Sequence, residues 1–114
     1  MAVDTALLTL DEAGGELLVL QVRRNDDTGW ALPGTFLHPG ERLADAVERS
    51  LKTKSGVRGL RPRQLHVFDD PGRDDRGWVL SVAHLAVVAP DRLAARFPDR
   101  TRLMPTSQIG RAHV

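Results

Sequence analysis

The chain has 114 residues, of which 41% are hydrophobic, 27% charged and 4% aromatic, a balance that suits one globular domain and leaves no room within these residues for a second. Sixteen Lys and Arg stand against fifteen Asp and Glu, giving a net charge of +1, and the basic residues are scattered, so attraction to a polyanion is excluded as the main source of affinity. No cysteine is present, which excludes disulfide frameworks, thiolate zinc sites and cysteine nucleophiles. No apolar run reaches the length of a membrane span, and the first residues lack the basic-then-apolar pattern of a leader, so a cytoplasmic protein without membrane contact is expected.

Ala2 to Leu10 and Glu16 to Arg23 are short, apolar-rich and partly alternating, with turn chemistry from Asp11 to Gly15 between them, and they predict a β-hairpin. A loop over Asn25 to Gly29 leads into Trp30-Ala31-Leu32-Pro33-Gly34, where Pro and Gly exclude a helix. Leu43, Val47 and Leu51 recur every four residues, which predicts an amphipathic helix from Leu43 to about Lys54, stopped by Gly56. Its start is expected to be poorly capped, because Arg42 stands where Ser or Thr would serve. Leu65 to Phe68 reads as a short strand, Asp69 to Gly77 as a polar loop and Trp78 to Val88 as a long strand. Beyond Pro90 the pattern weakens to a helical turn or two over Arg92 to Phe97. The order β-β-β-α-β-β predicts an α+β domain with a mixed sheet over residues 1–108. Residues 109–114, Ile-Gly-Arg-Ala-His-Val, hold the only isoleucine and match the translation of a common sequencing adapter, so a non-native tail is expected there.

The chemistry lies in the middle of the chain. Glu41, Arg49, Leu51, Gly56 and Val57, preceded by Ala31-Leu32-Pro33-Gly34 and Pro39-Gly40-Glu41, resemble the signature of the Nudix family. That signature reads Gly, five residues, Glu, seven residues, Arg-Glu, an aliphatic, any residue, Glu-Glu, any residue, Gly, an aliphatic. The resemblance implies an α/β/α sandwich around a mixed β-sheet. It also implies Mg²⁺ or Mn²⁺ held by the helix glutamates against a diphosphate, since hard cations take oxygen ligands and offset the charge of a breaking phosphoanhydride.

Here, however, Thr35 replaces the first glycine, and Ser50, Thr53 and Lys54 replace the three glutamates. By spacing, positions 50, 53 and 54 share one helix face, so the face is expected to survive without its ligands. Lys54 repels a cation and is a candidate to meet a diphosphate directly; the alternative is a solvated cation beside Lys52 at the helix C-terminus. Glu41 retains a carboxylate able to offer a weak metal contact, or simply a favourable charge near a helix start. Arg49 is expected to be structural. His38, His66 and His84 share no ligand spacing, and His84 reads as a core or cross-strand residue.

Phe68 to Gly77 followed by Trp78 to His84 is similar to the ADP-ribose-recognising branch of that family, which includes ADP-ribose pyrophosphatases and Nudix-related transcriptional regulators. The similarity implies a small nucleotide-like ligand, with Arg73 and Arg76 as candidates for its phosphates. Gly34 and Gly40 allow close backbone approach, and Trp30, Phe36 and Trp78 read equally as base-packing or core residues. Alternating Asp and Arg pairing within the loop is the competing reading of Arg73 and Arg76. The leading expectation is a nucleoside-diphosphate binder, ADP-ribose-like, with hydrolysis absent or vestigial, no cofactor, no nucleic-acid contact of its own, and a homodimer left open. The alternatives are a metal-dependent pyrophosphohydrolase using Mg²⁺ or Mn²⁺ through Glu48, Asp69 or Asp70, and a fragment without independent function. The last follows from the family's final helix, which finds no counterpart before Gln108 and leaves a sheet face expected to lie open.

Overall fold

A computed structural model describes residues 1–13, 15–68 and 80–108. Among the described residues seven strands form one mixed sheet: β1 (Ala2–Leu10), β2 (Leu17–Arg23), β3 (Trp30–Ala31), β4 (Gly34–Phe36), β5 (Arg63–Phe68), β6 (Ser81–Val87) and β7 (Thr101–Pro105). The main path runs β3-β2-β1-β6-β5, with β4 on β1 and β7 on β2.

β1 is the axis of the sheet. Its alternation buries Val3, Thr5, Leu7 and Thr9, and it runs parallel to β6 in the register Val3↔Val82, Thr5↔His84 and Leu7↔Ala86. Its other edge changes partner: β4 pairs antiparallel with its start, Ala2↔Phe36 and Asp4↔Gly34, and β2 with its end, Leu8↔Val19 and Leu10↔Leu17. Between these partners the chain is stitched by the Thr5 N–H donating to the Pro33 carbonyl at 2.9 Å. A split edge of this kind opens a cleft into the sheet.

The helix α1 (Leu43–Ser55) packs on the face of Val3 and Leu7. Ala46, Val47, Ser50, Leu51 and Ser55 are buried, one stripe at helical spacing, and Val57, Leu60, Val82, Leu20 and Leu93 complete the core. Leu7, Leu20, Leu51 and Leu93 are fully buried, each worth about 1.5–3 kcal/mol relative to exposure. The expected poor cap is corrected in part: Arg42 supplies no side-chain cap, but the Asp45 carboxylate accepts from the Arg42 N–H at 3.3 Å, and its charge suits the helix start. Gly56 ends α1 at φ 81°, ψ 0°, a left-handed conformation that favours glycine.

Beyond shifts of a single residue, the elements in the second half depart from the sequence reading. β5 begins at Arg63 rather than Leu65, because pairing with β6 recruits Arg63 and Gln64 across a bulge at Leu65. The turn expected over Arg92 to Phe97 starts earlier, as a 3₁₀ helix over Pro90–Leu93, since proline suits a first helical position. β7 was not foreseen; it pairs along β2 from Val22↔Thr101 to Leu18↔Pro105. A second 3₁₀ turn, Thr106–Gln108, follows it. Among the described residues no α-helix covers the face opposite α1, where Leu10 and Val87 stand more than half exposed. The expected tail at 109–114 lies outside the described residues.

Candidate functional site

The split edge of β1 opens into a cleft of about 660 Å³. Asp4, Gly34 and Ser81 lie at its floor strands, Arg23, Arg24, Asn25 and Asp26 on one wall, and Thr35, Phe36 and Lys54 also line it.

Of the three helix positions where the signature expects carboxylates, only Lys54 lines this cleft. Ser50 is fully buried, with its hydroxyl unpartnered, and Thr53 is exposed and donates back to the Arg49 carbonyl at 2.8 Å. The expectation of one shared face is thus divided by depth. Lys54 Nζ donates to the Gly34 carbonyl oxygen. Burial pushes its pKa down from the usual lysine range, the nearby Asp4 carboxylate opposes that, and the Arg49 charge adds to it.

Asp4 is the residue that the sequence reading missed. Its carboxylate accepts from the Ser81 hydroxyl at 2.6 Å, and it rests on Gly34 so closely that a Cβ there would collide with it. The absence of a side chain at Gly34 thus makes room for Asp4, a contact within the protein and distinct from the ligand approach expected there. The available signal was a lone carboxylate within the otherwise apolar run from Ala2 to Leu10. Gly40, by contrast, sits in a left-handed turn away from the cleft lining.

Glu41 does not line the cleft; it faces Arg49 in a two-pronged pair, Nε to Oε2 at 2.9 Å and Nη2 to Oε1 at 2.9 Å. The His38 N–H donates to Oε1 as well, at 2.9 Å. The Arg49 hydrogen bonds, then that of His38, hold the Glu41 pKa down at about 2, and the same pair raises that of Arg49. Arg49 also donates to Thr35 Oγ1 at 3.2 Å and to the Phe36 carbonyl at 2.8 Å. It ties α1 to β4, the structural role its position suggested. His84 is buried, with Nδ1 3.2 Å from the Val82 carbonyl. Glu48 is exposed on α1. Arg73, Arg76, Trp78, Asp69 and Asp70 lie outside the described residues.

The Nudix domain model matches residues 1–111, and the chain belongs to the Nudix domain family. It is 33% identical over 85 residues to an ADP-ribose pyrophosphatase of Methanocaldococcus jannaschii, a match covering 74% of this chain and half of that enzyme. In structure it is similar to a MutT/nudix family protein from Listeria innocua, with a TM-score of 0.78, 31% identity, and coverage of 94% of this chain and 78% of the other. It is also similar to the NUDIX domain of Shewanella oneidensis NrtR complexed with ADP ribose, with a TM-score of 0.76, 29% identity, and coverage of 93% and 72%.

A divalent cluster, which the family's signature implies, needs converging anionic oxygens. Among the described residues the donor set does not fit one. The cleft position on α1 is an ammonium, both Glu41 oxygens are taken by Arg49, and Asp4 is bonded to Ser81 beside that ammonium.

Proposed function

We propose that this Nudix domain binds a nucleoside-diphosphate metabolite of the ADP-ribose kind in the β1 cleft, without a divalent metal and with hydrolysis absent or vestigial. The observation that carries this reading is Lys54: a cation built into the cleft at a position where the family signature has a carboxylate. A diphosphate is costly to bring into a partly dry cleft unless cations or N–H donors meet it. Lys54 is proposed to meet the phosphates, with Arg73 and Arg76 as further contacts suggested by the sequence alone. Two relatives support the ligand class, one named as an ADP-ribose pyrophosphatase and one solved with ADP ribose.

The likeness to a pyrophosphatase also favours a second reading, a metal-dependent hydrolase drawing on Glu48, Asp69 or Asp70 and on Mg²⁺ or Mn²⁺. Incubating the protein with ADP-ribose across both metals and a range of pH, and following AMP release, separates the two. The first reading expects release at background. Turnover abolished by Asp69→Asn or Asp70→Asn would establish the second.

A further inference from the structure

The cleft wall formed by β2 and β3 holds an arrangement that phosphate binding leaves unexplained. Arg23 and Trp30 are cross-strand neighbours, and the Arg23 guanidinium carbon lies 5.4 Å from the indole centroid. A second guanidinium, Arg102 on β7, lies 4.6 Å from the same ring and is fixed by Nε donating to Gln21 Oε1 at 2.8 Å. Both distances fall within the range of cation–π attraction. Trp30 and Arg102 do not line the cleft, whereas Arg23 does.

Arg23 is held at its edge as well as by its neighbouring ring. Its Nη2 donates to the Asp27 carbonyl at 3.2 Å, and its Nε lies 3.5 Å from the Asp27 carboxylate. Asp27 adopts a left-handed backbone, φ 58°, and its carboxylate also binds Arg100 at 3.1 Å, which ties the β2–β3 loop to the start of β7. Over a third of the Arg23 side chain nonetheless remains exposed. The outcome is a planar, weakly hydrated group, held at one edge, within cation–π distance of an indole and still open to the cleft. Such a plane stacks on aromatic faces, which a lysine ammonium does not do in the same way.

We propose that the cleft contains a base-stacking subsite whose platform is the Arg23 guanidinium, on which the heteroaromatic ring of a nucleotide ligand lies, with Trp30 as the positioning residue behind it. This rests on the nucleotide-binding reading above and adds where the base goes. It moves the stacking role from Trp30, which two arginines already engage, to Arg23. Arginine planes are established stacking surfaces for bases.

The test compares ADP-ribose with inorganic pyrophosphate, which has no base, by calorimetry in one buffer. Arg23→Lys keeps the charge and removes the plane. It should lower ADP-ribose affinity about fivefold or more, in line with the worth of one base stack, and leave pyrophosphate affinity and the salt dependence unchanged. Trp30→Leu should act in the same direction and Trp30→Phe, which keeps an aromatic face, should restore most of the loss; thermal melts verify that each variant folds. Equal losses for both ligands would assign Arg23 to phosphate and overturn the subsite. So would a base-dependent loss on Phe36→Leu with none on Arg23→Lys. If the unmodified protein binds neither ligand, the nucleotide-binding reading fails first and the subsite with it. Pyrophosphate bound as tightly as ADP-ribose overturns the subsite alone.

Discussion

The helix end that places Lys54 in the cleft depends on Gly56, and a paired substitution measures how. Gly56 and Gly59 share nearly the same positive φ, 81° and 77°. Alanine in that left-handed region costs about 1–2 kcal/mol at either site. Their surroundings differ. A Cβ on Gly56 would come 2.8 Å from Phe97 Cε1, 2.9 Å from Cδ1 and 3.0 Å from the Ala95 carbonyl oxygen, whereas one on Gly59 would meet nothing within 4 Å. The ring, 41% exposed, has room to swing outward, but the backbone beneath it is tied: the Phe97 N–H donates to the Ser55 carbonyl at 2.8 Å, and Thr101 Oγ1 donates to the Phe97 carbonyl at 2.6 Å. Crowding of this kind costs about 1–3 kcal/mol. Gly56→Ala should therefore lose about 2–5 kcal/mol and Gly59→Ala about 1–2 kcal/mol, set against total stabilities of about 5–15 kcal/mol for small domains. Urea unfolding of both variants, with unchanged m-values, reads the difference, and adding Phe97→Ala to Gly56→Ala should recover part of the excess. Equal losses at the two glycines would refute the steric reasoning.

The Glu41 carboxyl titrates near 2 in the folded chain against an ordinary 4.5, so its stabilising contribution is complete above 4.5 and lost as pH falls through about 2. Urea midpoints over that acid window should fall more steeply for the unmodified protein than for Arg49→Gln. Burial lowers the Lys54 pKa more than Asp4 raises it, so Lys54→Met should melt no lower than the parent while losing ligand affinity; a clear drop in Tm would mean that the Asp4 attraction and the hydrogen bond to the Gly34 carbonyl together outweigh desolvation. The Ser50 hydroxyl is buried without a partner, so Ser50→Ala should be neutral or stabilising in thermal melts, and a loss above about 1 kcal/mol would reveal a hydrogen bond to that hydroxyl.

Local pattern was enough for β1, β2 and α1. Alternation marks the buried residues of β1, a four-residue recurrence marks the helix stripe, and Gly56 marks its end, because each signal acts within one element. β7 had no such signal: Thr101-Arg102-Leu103-Met104-Pro105 mixes charge and proline, and becomes a strand through its pairing with β2 some eighty residues earlier. β4 is three residues long and is defined by β1. The site divides in the same way. The register of Glu41, Arg49 and Lys54 was readable from spacing, whereas Asp4, Ser81 and Gly34 meet only once β1 lies between β4 and β6. That Ser50 is buried while Lys54 reaches the cleft depends on how α1 is seated, which helical spacing alone does not specify.

The most direct test of metal-free binding at Lys54 is calorimetry of ADP-ribose in EDTA, with the unmodified protein beside Lys54→Glu. Binding should persist in the chelator, weaken with added salt, and fall roughly tenfold or more in Lys54→Glu, the scale of losing one charge-assisted contact of about 1.5–3 kcal/mol. Binding that appears only on adding Mg²⁺ or Mn²⁺, or that is unchanged in Lys54→Glu, would contradict it.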